Sequence, residues 1–338
     1  MSRLTQSVSR PLLVAALVSG LTAQGAIDPK LPAYTKSSGV SGSIKSVGSD
    51  TMNNLMALWA EGFQKQYPNV RVEIEGKGSS TAPPALIEGT ATFGPMSRDL
   101  KAKEQDDFEK KFGYKATVLG SAIDMLAVYV HQDSPIAQTG LTLEQVDAIF
   151  SKTRKGGGAA DIRTWGQLGL GGEFADKPIS LYGRNSASGT YGYFKEIALV
   201  GGDFKDGVKE QAGSSSVVSG VGGDRYGIGY SGIGYMSADV AAVPLGKTAD
   251  KLVAPDAKHV RDYPMSRFLW LAVNYQPNSQ LDPLRREFVH YVFSREGQQV
   301  VVKDGYLPVP FAIAQRELGK FGIELQPAKD AVDASADK

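Results

Sequence analysis

The sequence predicts an α/β fold in two lobes, and three observations lead to this prediction. Short apolar strands alternate with helical patterns in close succession from Ile44 onward, which is typical of parallel strands joined by crossover helices. Two almost continuous apolar runs, 125–130 and 268–273, lie on either side of a second set of such elements. The chain of 338 residues is also long enough for two domains of ordinary size.

The N-terminus has the three parts of a secretory signal peptide. Arg3 and Arg10 precede an apolar run over 11–21, and small residues follow that run. The run is half the roughly 20 residues that cross a bilayer, and no later segment is longer and equally apolar, so we expect a soluble exported protein. Residues 1–26 are therefore predicted to be a signal peptide, and the Pro-, Ser- and Gly-rich residues 27–43 an extended N-terminal segment.

The elements of the first lobe follow from hydrophobic periodicity. Apolar residues fall at helical spacing from Met52 to Phe63, and the pattern stops at Tyr67-Pro68. Pro83 and Pro84 lie in the first turn of the next predicted helix, a position where proline is tolerated. In chain order, the pattern predicts a strand over 44–47, a helix ending near 67, a strand over 70–74, a helix over 83–89, a strand over 91–93 and a charged helix over about 97–111.

The second lobe is predicted between the two apolar runs, each of which is itself expected to be a buried strand. Its elements are a helix over 142–150, a strand over 179–182, a helix from about 188 and a Gly- and Tyr-rich segment over 227–235, with a helix over 283–293 and a short segment near 298–302 after it. The simplest architecture inserts one lobe into the other, with two chain crossings near residues 120 and 270 acting as a hinge. The predicted division is lobe 1 from residues 44–121 plus 274–325, lobe 2 from residues 122–273, and a flexible tail over 326–338.

Composition excludes several classes of function. The formal net charge is +1, and removal of residues 1–26 takes away two arginines and no acid, so the mature chain carries about −1. A dedicated nucleic-acid or anionic-membrane binder would need an excess of basic residues. The absence of cysteine excludes disulfides, thiol catalysis and Cys-ligated metals. Any anion that the protein binds must therefore be held by a local group of donors.

Four predicted strand-to-helix junctions combine small residues with hydroxyl side chains. A single junction of this kind is most simply an ordinary helix N-cap. Four of them, gathered at the carboxyl ends of parallel strands with Arg184 beside the last, instead favour a site for a small tetrahedral anion. The junctions are Gly48-Ser49-Asp50-Thr51, Gly76-Lys77-Gly78-Ser79-Ser80-Thr81, Gly94-Pro95-Met96-Ser97-Arg98 and Arg184-Asn185-Ser186-Ala187-Ser188-Gly189-Thr190.

Three of these junctions carry a resemblance to a known family. Residues 48–51 fit a Gly-x-x-Thr motif that opens the first helix, residues 76–80 fit Gly-x-Gly-Ser-Ser, and residues 184–190 fit Arg-x-x-x-Ser-Gly-Thr. The spacing between the first two motifs, and the Gly-Ile-Gly-Tyr and Gly-Tyr-Leu-Pro segments at 227–230 and 305–308, fit as well. Over essentially its whole exported length, the chain resembles the periplasmic phosphate-binding receptors of ABC transporters, the PstS family.

The resemblance implies a periplasmic binding protein fold of type II, in which each lobe is a mixed sheet flanked by helices and the ligand lies in the cleft between the lobes. It further implies a monomer that closes on one dehydrated phosphate and delivers it to the membrane permease of an ABC phosphate importer, with no cofactor. The ligand-binding residues expected on this basis, with Asp50 and Arg98 added from the first and third junctions, are Asp50, Thr51, Met52 through its amide, Ser79, Ser97, Arg98, Arg184, Ser188, Gly189 and Thr190.

Two positions depart from the family pattern. Many members end the third junction in an Asp that accepts the proton of hydrogen phosphate and so rejects sulfate, whereas this chain has Ser97. The hypothesis that follows is that Asp50 supplies the acceptor instead, against its simpler reading as a helix N-cap. The usual Asp two residues after the arginine is Ser186 here, so either Asp50 or Asp124 is expected to orient Arg184.

Other signals do not indicate catalysis. Residues 227–232 spell a dinucleotide fingerprint but lack the flanking strand and helix patterns, which favours a Gly-rich packing strand. The three histidines have neither metal-ligand nor Ser/His spacing, so no metal and no enzyme activity are expected. A receptor for sulfate or another tetrahedral oxyanion stays open, as do an exported phosphate-ester hydrolase and a secreted structural protein. We expect a periplasmic location, with secretion from the cell as a further possibility, and no nucleic-acid partner.

Overall fold

A computed structural model describes residues 25–329 of the chain. The predicted signal peptide lies almost wholly outside these residues, as does most of the predicted tail. Within residues 25–329, no helix is long and apolar enough to cross a membrane. The elements of the first part of the chain are β1 (Gly42–Val47), α1 (Asn53–Gln66), β2 (Val70–Glu75), α2 (Ala82–Ile87), β3 (Gly94–Met96), α3 (Ala102–Phe112) and β4 (Thr117–His131).

The remaining elements continue the alternation of helices and short strands. They are α4 (Ile136–Thr139), β5 (Leu141–Thr142), α5 (Leu143–Phe150), β6 (Ser180–Arg184), α6 (Gly189–Ile197), β7 (Lys209–Gln211), α7 (Ser214–Gly222), β8 (Gly227–Gly232), β9 (Val240–Ala242), β10 (Leu245–Gly246), β11 (Ser266–Val273), α8 (Pro283–Val292), α9 (Arg295–Lys303) and α10 (Phe311–Gly319). The predicted α/β class is confirmed.

The long strand β4 belongs to both parts of the main sheet. Over Thr117–Met125 it pairs antiparallel with β11, which in turn pairs with β3. Over Leu126–Val130 it pairs antiparallel with β8, and β8 continues the sheet through parallel pairing with β6. The order of strands is β3-β11-β4-β8-β6-β7, with β9 also paired to β4, while β1 and β2 form a separate parallel pair. Both predicted apolar runs are thus strands; residues 268–273 pair with the first half of β4, and residues 126–130 pair with β8.

The two largest hydrophobic cores among the described residues lie along this sheet. The first takes residues from 31–122 and 269–325, and the buried face of α1 contributes Trp59 and Phe63 to it. The second takes residues from 125–265 together with Leu307. The β11 side chains at 269, 271 and 273 pack in the first core, whereas the sequence-based division counted them with the second lobe.

Several predicted elements are shifted. The third strand is Gly94–Met96 and not 91–93, because pairing with β11 defines it. The charged helix begins at Ala102 and not at 97, because the Glu104 carboxylate accepts from the backbone N–H of Lys101 and also binds Arg98, which keeps 97–101 out of the helix. The segment near 298–302 is the helix α9, and 227–232 is the buried strand β8, as predicted for a packing strand. Helices α7 and α10 were not predicted.

Candidate anion-binding site

Three of the predicted junctions meet at the N-terminal end of α1. The Ser49 N–H donates to the carbonyl of Pro95 over 2.8 Å, and the Gly78 N–H donates to the carbonyl of Gly48 over 2.8 Å. Their hydroxyl groups then form a buried cluster. The Ser97 N–H donates to Ser79 Oγ over 3.0 Å, and Ser49 Oγ donates to Ser97 Oγ over 3.0 Å. The segments that follow β1, β2 and β3 are thereby held within hydrogen-bonding distance of one another.

The fourth junction closes against the first three. Thr190 Oγ1 lies 2.9 Å from Thr51 Oγ1, and the Ser80 N–H donates to the carbonyl of Ala187 over 3.2 Å. Ser188 Oγ caps α6 by accepting from the N–H groups of Thr190 and Tyr191. A Cβ atom at Gly189 would overlap Ser79 Oγ and lie 2.6 Å from Ser97 Oγ, so this approach requires glycine.

Arg184 lies at the carboxyl end of β6 with only 1% of its surface exposed. Its Nη2 atom lies 3.1 Å from Asp50 Oδ2, and its Nη1 atom donates to Ser214 Oγ over 2.5 Å. The Nε atom is buried and has no hydrogen-bond partner within the described residues. Burial lowers the pKa of Arg184, and the Asp50 carboxylate opposes that shift. Arg184 therefore presents a buried cation with a donor left over for an anion.

Arg267, on β11, is another buried arginine of the site, and no local pattern in the sequence predicted it. Its Nε and Nη2 atoms donate to Asp124 Oδ2 over 3.0 and 2.7 Å. The other contacts of the guanidinium reach both sides of the site, the Ser97 carbonyl at 2.7 Å and Thr190 Oγ1 at 2.9 Å. Asp124 therefore orients Arg267, and of the two carboxylates considered for Arg184 it is Asp50 that contacts it.

Two tyrosines fix the turn that carries Thr51. Tyr306 Oη donates to the Thr51 carbonyl over 2.9 Å, and Tyr235 Oη donates to the carbonyls of Asp50 and Thr51 over 3.0 and 3.2 Å. Burial raises the pKa of both phenols above its ordinary value, so both stay protonated donors at neutral pH. These bonds turn the carbonyls of the Asp50–Met52 turn toward the tyrosines and leave the Thr51 hydroxyl facing Thr190.

The structure brings most of the predicted residues together, with three exceptions in detail. The Met52 N–H donates to the Ser49 carbonyl over 3.2 Å, so this amide serves the turn. Arg98 forms a two-point pair with Glu104 at 2.7 and 2.8 Å and contacts Ser80, but it makes no contact with Thr51 or Thr190 among the described hydrogen bonds. Ser97 lies in a bend directly after β3 and not at a helix start.

Ser214 is a further residue that was not predicted. It is the first residue of α7, its N–H donates to Asp50 Oδ2 over 2.8 Å, and its hydroxyl lies 3.5 Å from Thr51 Oγ1. The signal was present in the sequence, because residues 213–216 read Gly-Ser-Ser-Ser, the same small-plus-hydroxyl composition as the four junctions. Arg267 had no comparable signal, since its place depends on the register between β11 and β4.

The assembled site is rich in donors and balanced in charge. Each arginine is paired with one carboxylate, and each donates to one hydroxyl beside Thr51, Arg184 to Ser214 and Arg267 to Thr190. Among residues 25–329 there is no group of three or more His, Asp or Glu arranged to hold a metal ion. Such a site can bind a small oxyanion through hydroxyl and guanidinium donors.

The chain is similar to proteins already known. Residues 33–296 match the family model described as a PBP superfamily domain. The chain is 54% identical over 313 residues to the phosphate-binding protein PstS of Pseudomonas aeruginosa, an alignment that covers 92% of this chain and 96% of that protein. It is 28% identical to the phosphate-binding protein PstS of Bacillus subtilis, with 80% of this chain and 81% of that protein covered.

A solved structure agrees with these relatives. It is a crystal structure, with bound phosphate, of a substrate-binding protein assigned to a phosphate ABC transporter of Clostridium perfringens. The two chains are 28% identical and superpose with a TM-score of 0.66, over 79% of this chain and 100% of that one. With a matching domain model over most of its length and a relative at 54% identity, the chain belongs to the PstS family of phosphate-binding proteins within the PBP superfamily.

Proposed function

We propose that the protein is the phosphate receptor of an ABC importer, and that it binds dehydrated inorganic phosphate between two closing lobes. The observation that carries this proposal is the buried Arg184, whose Nε has no hydrogen-bond partner within the described residues and whose Nη1 donates to Ser214 Oγ beside Thr51. The phosphate-binding names of the relatives supply the ligand. The proposed ligand-binding residues are Asp50, Thr51, Met52, Ser79, Ser97, Arg98, Arg184, Ser188, Gly189 and Thr190, and we add Ser214.

The proposed lobes meet on β4 between Met125 and Leu126 and again just before Ser266. Strand β4 exchanges its partner β11 for β8 at this point, and the two largest hydrophobic cores divide close to it, between Ala122 and Met125. Closure about these two strands would bring Thr190 and Arg184 onto Thr51 and Asp50, which are the contacts observed. The closed form would also present the surface that a membrane permease recognises.

Location, partners and the absence of catalysis complete the proposal. The relatives are named as binding proteins, which supports a receptor that performs no reaction. We propose a monomer in the periplasm, exported by the N-terminal segment 1–26 and working with the permease subunits of a phosphate importer. An assay with a chromogenic phosphate ester tests the hydrolase alternative, since a receptor releases no product.

One calorimetric titration series tests the ligand. Phosphate, arsenate and sulfate are titrated separately into the mature protein, and we expect phosphate to bind tightly, arsenate to follow it and sulfate to bind far more weakly. Sulfate is the specific competitor, because Ser97 replaces the acceptor that rejects it in many family members. Sulfate binding as tight as phosphate binding would make this a general tetrahedral-oxyanion receptor, and no binding of any of the three would refute the proposal.

A further inference from the structure

Arg267 lies at the place where the two proposed lobes join. It pairs in the β-sheet register directly with Asp124 on β4, and the side chains of both residues are almost completely buried. Asp124 Oδ2 accepts two N–H groups of the guanidinium, while its Oδ1 accepts the N–H of Ile233 over 3.0 Å. The guanidinium also stacks over Tyr193, with 5.2 Å between its carbon and the ring centroid. Its orientation is therefore fixed on several sides.

The remaining bonds of Arg267 reach the two sides of the cleft. Nη1 donates to the carbonyl of Ser97, which belongs to the hydroxyl cluster at the N-terminal end of α1. Nη2 donates to Oγ1 of Thr190, which belongs to the first turn of α6. One buried cation on a hinge strand therefore bonds at once to a residue from each side, and both bonds can exist only while the two sides are together.

The hydrogen bond from Arg267 to Thr190 also determines where the hydroxyl proton of Thr190 can point. A guanidinium has donors and no acceptor, so Thr190 Oγ1 must accept from Arg267. The single hydroxyl proton of Thr190 is then free to point away from Arg267, on the side where Thr51 lies 2.9 Å away. Thr190 thus becomes a donor toward the place where an anion would sit, and donation is what every unprotonated oxygen of phosphate requires.

We propose that Arg267 is a positioning residue that couples closure of the lobes to capture of the anion, by bonding Ser97 and Thr190 together and fixing the Thr190 hydroxyl as a donor. This inference depends on the proposed phosphate-receptor function. It assigns different roles to Arg184 and Arg267. Arg184 keeps a free buried Nε for the ligand, whereas all but one of the five N–H groups of Arg267 are already used.

A double-mutant cycle in the full mature protein tests the coupling. The variants are R267K, T190V and the double variant, and the probe is inorganic phosphate measured by calorimetry. Lysine keeps the positive charge beside Asp124 but cannot reproduce the forked geometry that reaches three acceptors. If Arg267 acts through Thr190, each single variant weakens phosphate binding by about 10- to 100-fold, and the double variant is no weaker than the weaker single one.

A distance measurement reports closure separately from affinity. Because the chain has no cysteine, Lys103 and Asp206 can both be changed to cysteine and carry the only two labels. Lys103 lies on α3 and Asp206 on the loop before β7, and both side chains are strongly exposed. With saturating phosphate, we expect a single short distance between the two labels in the parent protein. In R267K we expect part of the molecules to keep the longer distance of the open form. A role in stability alone would lower the melting temperature and leave this distribution unchanged.

Arg285 provides the matched control. It also binds a carboxylate, Asp282, and a backbone carbonyl, that of Asn274, but it lies at the start of α8 and touches none of the cleft residues. R285K should bind phosphate as the parent does. The inference would be overturned if the effects of R267K and T190V on the free energy of phosphate binding were additive, or if R267K bound phosphate with wild-type affinity. Either result would leave the proposed phosphate-receptor function intact. Failure of the parent to bind any phosphate would overturn the proposed function first.

Discussion

Asp50 and Arg184 form an ion pair across the proposed cleft, with 3.1 Å between Oδ2 and Nη2. The two residues come from the junction before α1 and the end of β6. The family pattern usually places an Asp two residues after this arginine, where the chain has Ser186. A carboxylate from the opposite side of the cleft takes that place, so the orientation of the main cation depends on the two sides being together.

Replacement of Arg184 by methionine should abolish phosphate binding. A buried anion would lose its free guanidinium donor, and loss of charge-assisted hydrogen bonds of this kind should cost at least about 100-fold in affinity. The measurement is a calorimetric titration, with R225M as the control because Arg225 is an exposed cation that binds Asp133 and Glu173 away from the site. An R184M variant with unchanged affinity would place the site elsewhere.

Replacement of Asp50 by asparagine should lower the ratio of phosphate to sulfate affinity. The carboxylate is the hypothesised acceptor for the proton of hydrogen phosphate, and an amide nitrogen at the same position would discriminate less. Competition titrations with both anions give the ratio. D99N is the charge control, because Asp99 is an exposed carboxylate close in sequence to Ser97. If D50N lowers the affinities for phosphate and sulfate by the same factor, the role of Asp50 is only to orient Arg184.

Replacement of Gly189 by alanine should hold the lobes apart. The new methyl group would overlap Ser79 Oγ, an atom of the opposite side that is itself held by the Ser97 N–H. Phosphate affinity should fall at least about tenfold, while thermal stability without ligand changes little. The control is G319A, a helical glycine with no atom within 4 Å of the added carbon. Small-angle scattering should show G189A remaining extended with phosphate present, and compaction equal to that of the parent would contradict the prediction.

Replacement of Asp304 by asparagine should stabilise the protein above neutral pH. Burial raises the pKa of Asp304 from 3.8 to about 6, with only the Asn54 amide as a side-chain donor. Its ionisation therefore costs stability that is absent at pH 3.8 and complete above about pH 6. We expect D304N to raise the free energy of unfolding at about pH 8 by about 1–3 kcal/mol. Urea denaturation across that range is the measurement, and an identical pH dependence in the two proteins would refute it.

The sequence predicted those site residues that have a local signal. Thr51, Ser79, Ser97 and Thr190 were expected because small residues and hydroxyls stand where strands end, and the structure does place them together. Helix α7, with the sequence Ser-Ser-Ser-Val-Val-Ser-Gly-Val-Gly, was not predicted because serine and glycine weaken its helical pattern, and Ser214 was missed with it.

The parts that could not be predicted depend on distant pairing. The position of β3 follows from its bonds to β11, and the role of Arg267 follows from its pairing with Asp124. Neither relationship can be recognised from the neighbouring sequence. Around Arg267, the sequence shows only a charged residue before an apolar run. The start of α3 was shifted for a different, local reason, because Glu104 binds Arg98 and caps the helix at the same time.

The shared strand β4 sets an order in which the chain can fold. Strands β8 and β9 pair with β4, β6 pairs with β8, and β7 pairs with β6; all four lie before residue 243, so they can assemble on β4 once that segment has been synthesised. The pairing of Gly94 with Ala272 must wait for β11, and the first core must wait further for α8, α9 and α10. Contacts so distant in sequence form slowly. Residues 126–242 are therefore expected to become ordered first, and the surface that meets Thr190 is completed only when the segment from β11 to α10 has joined them.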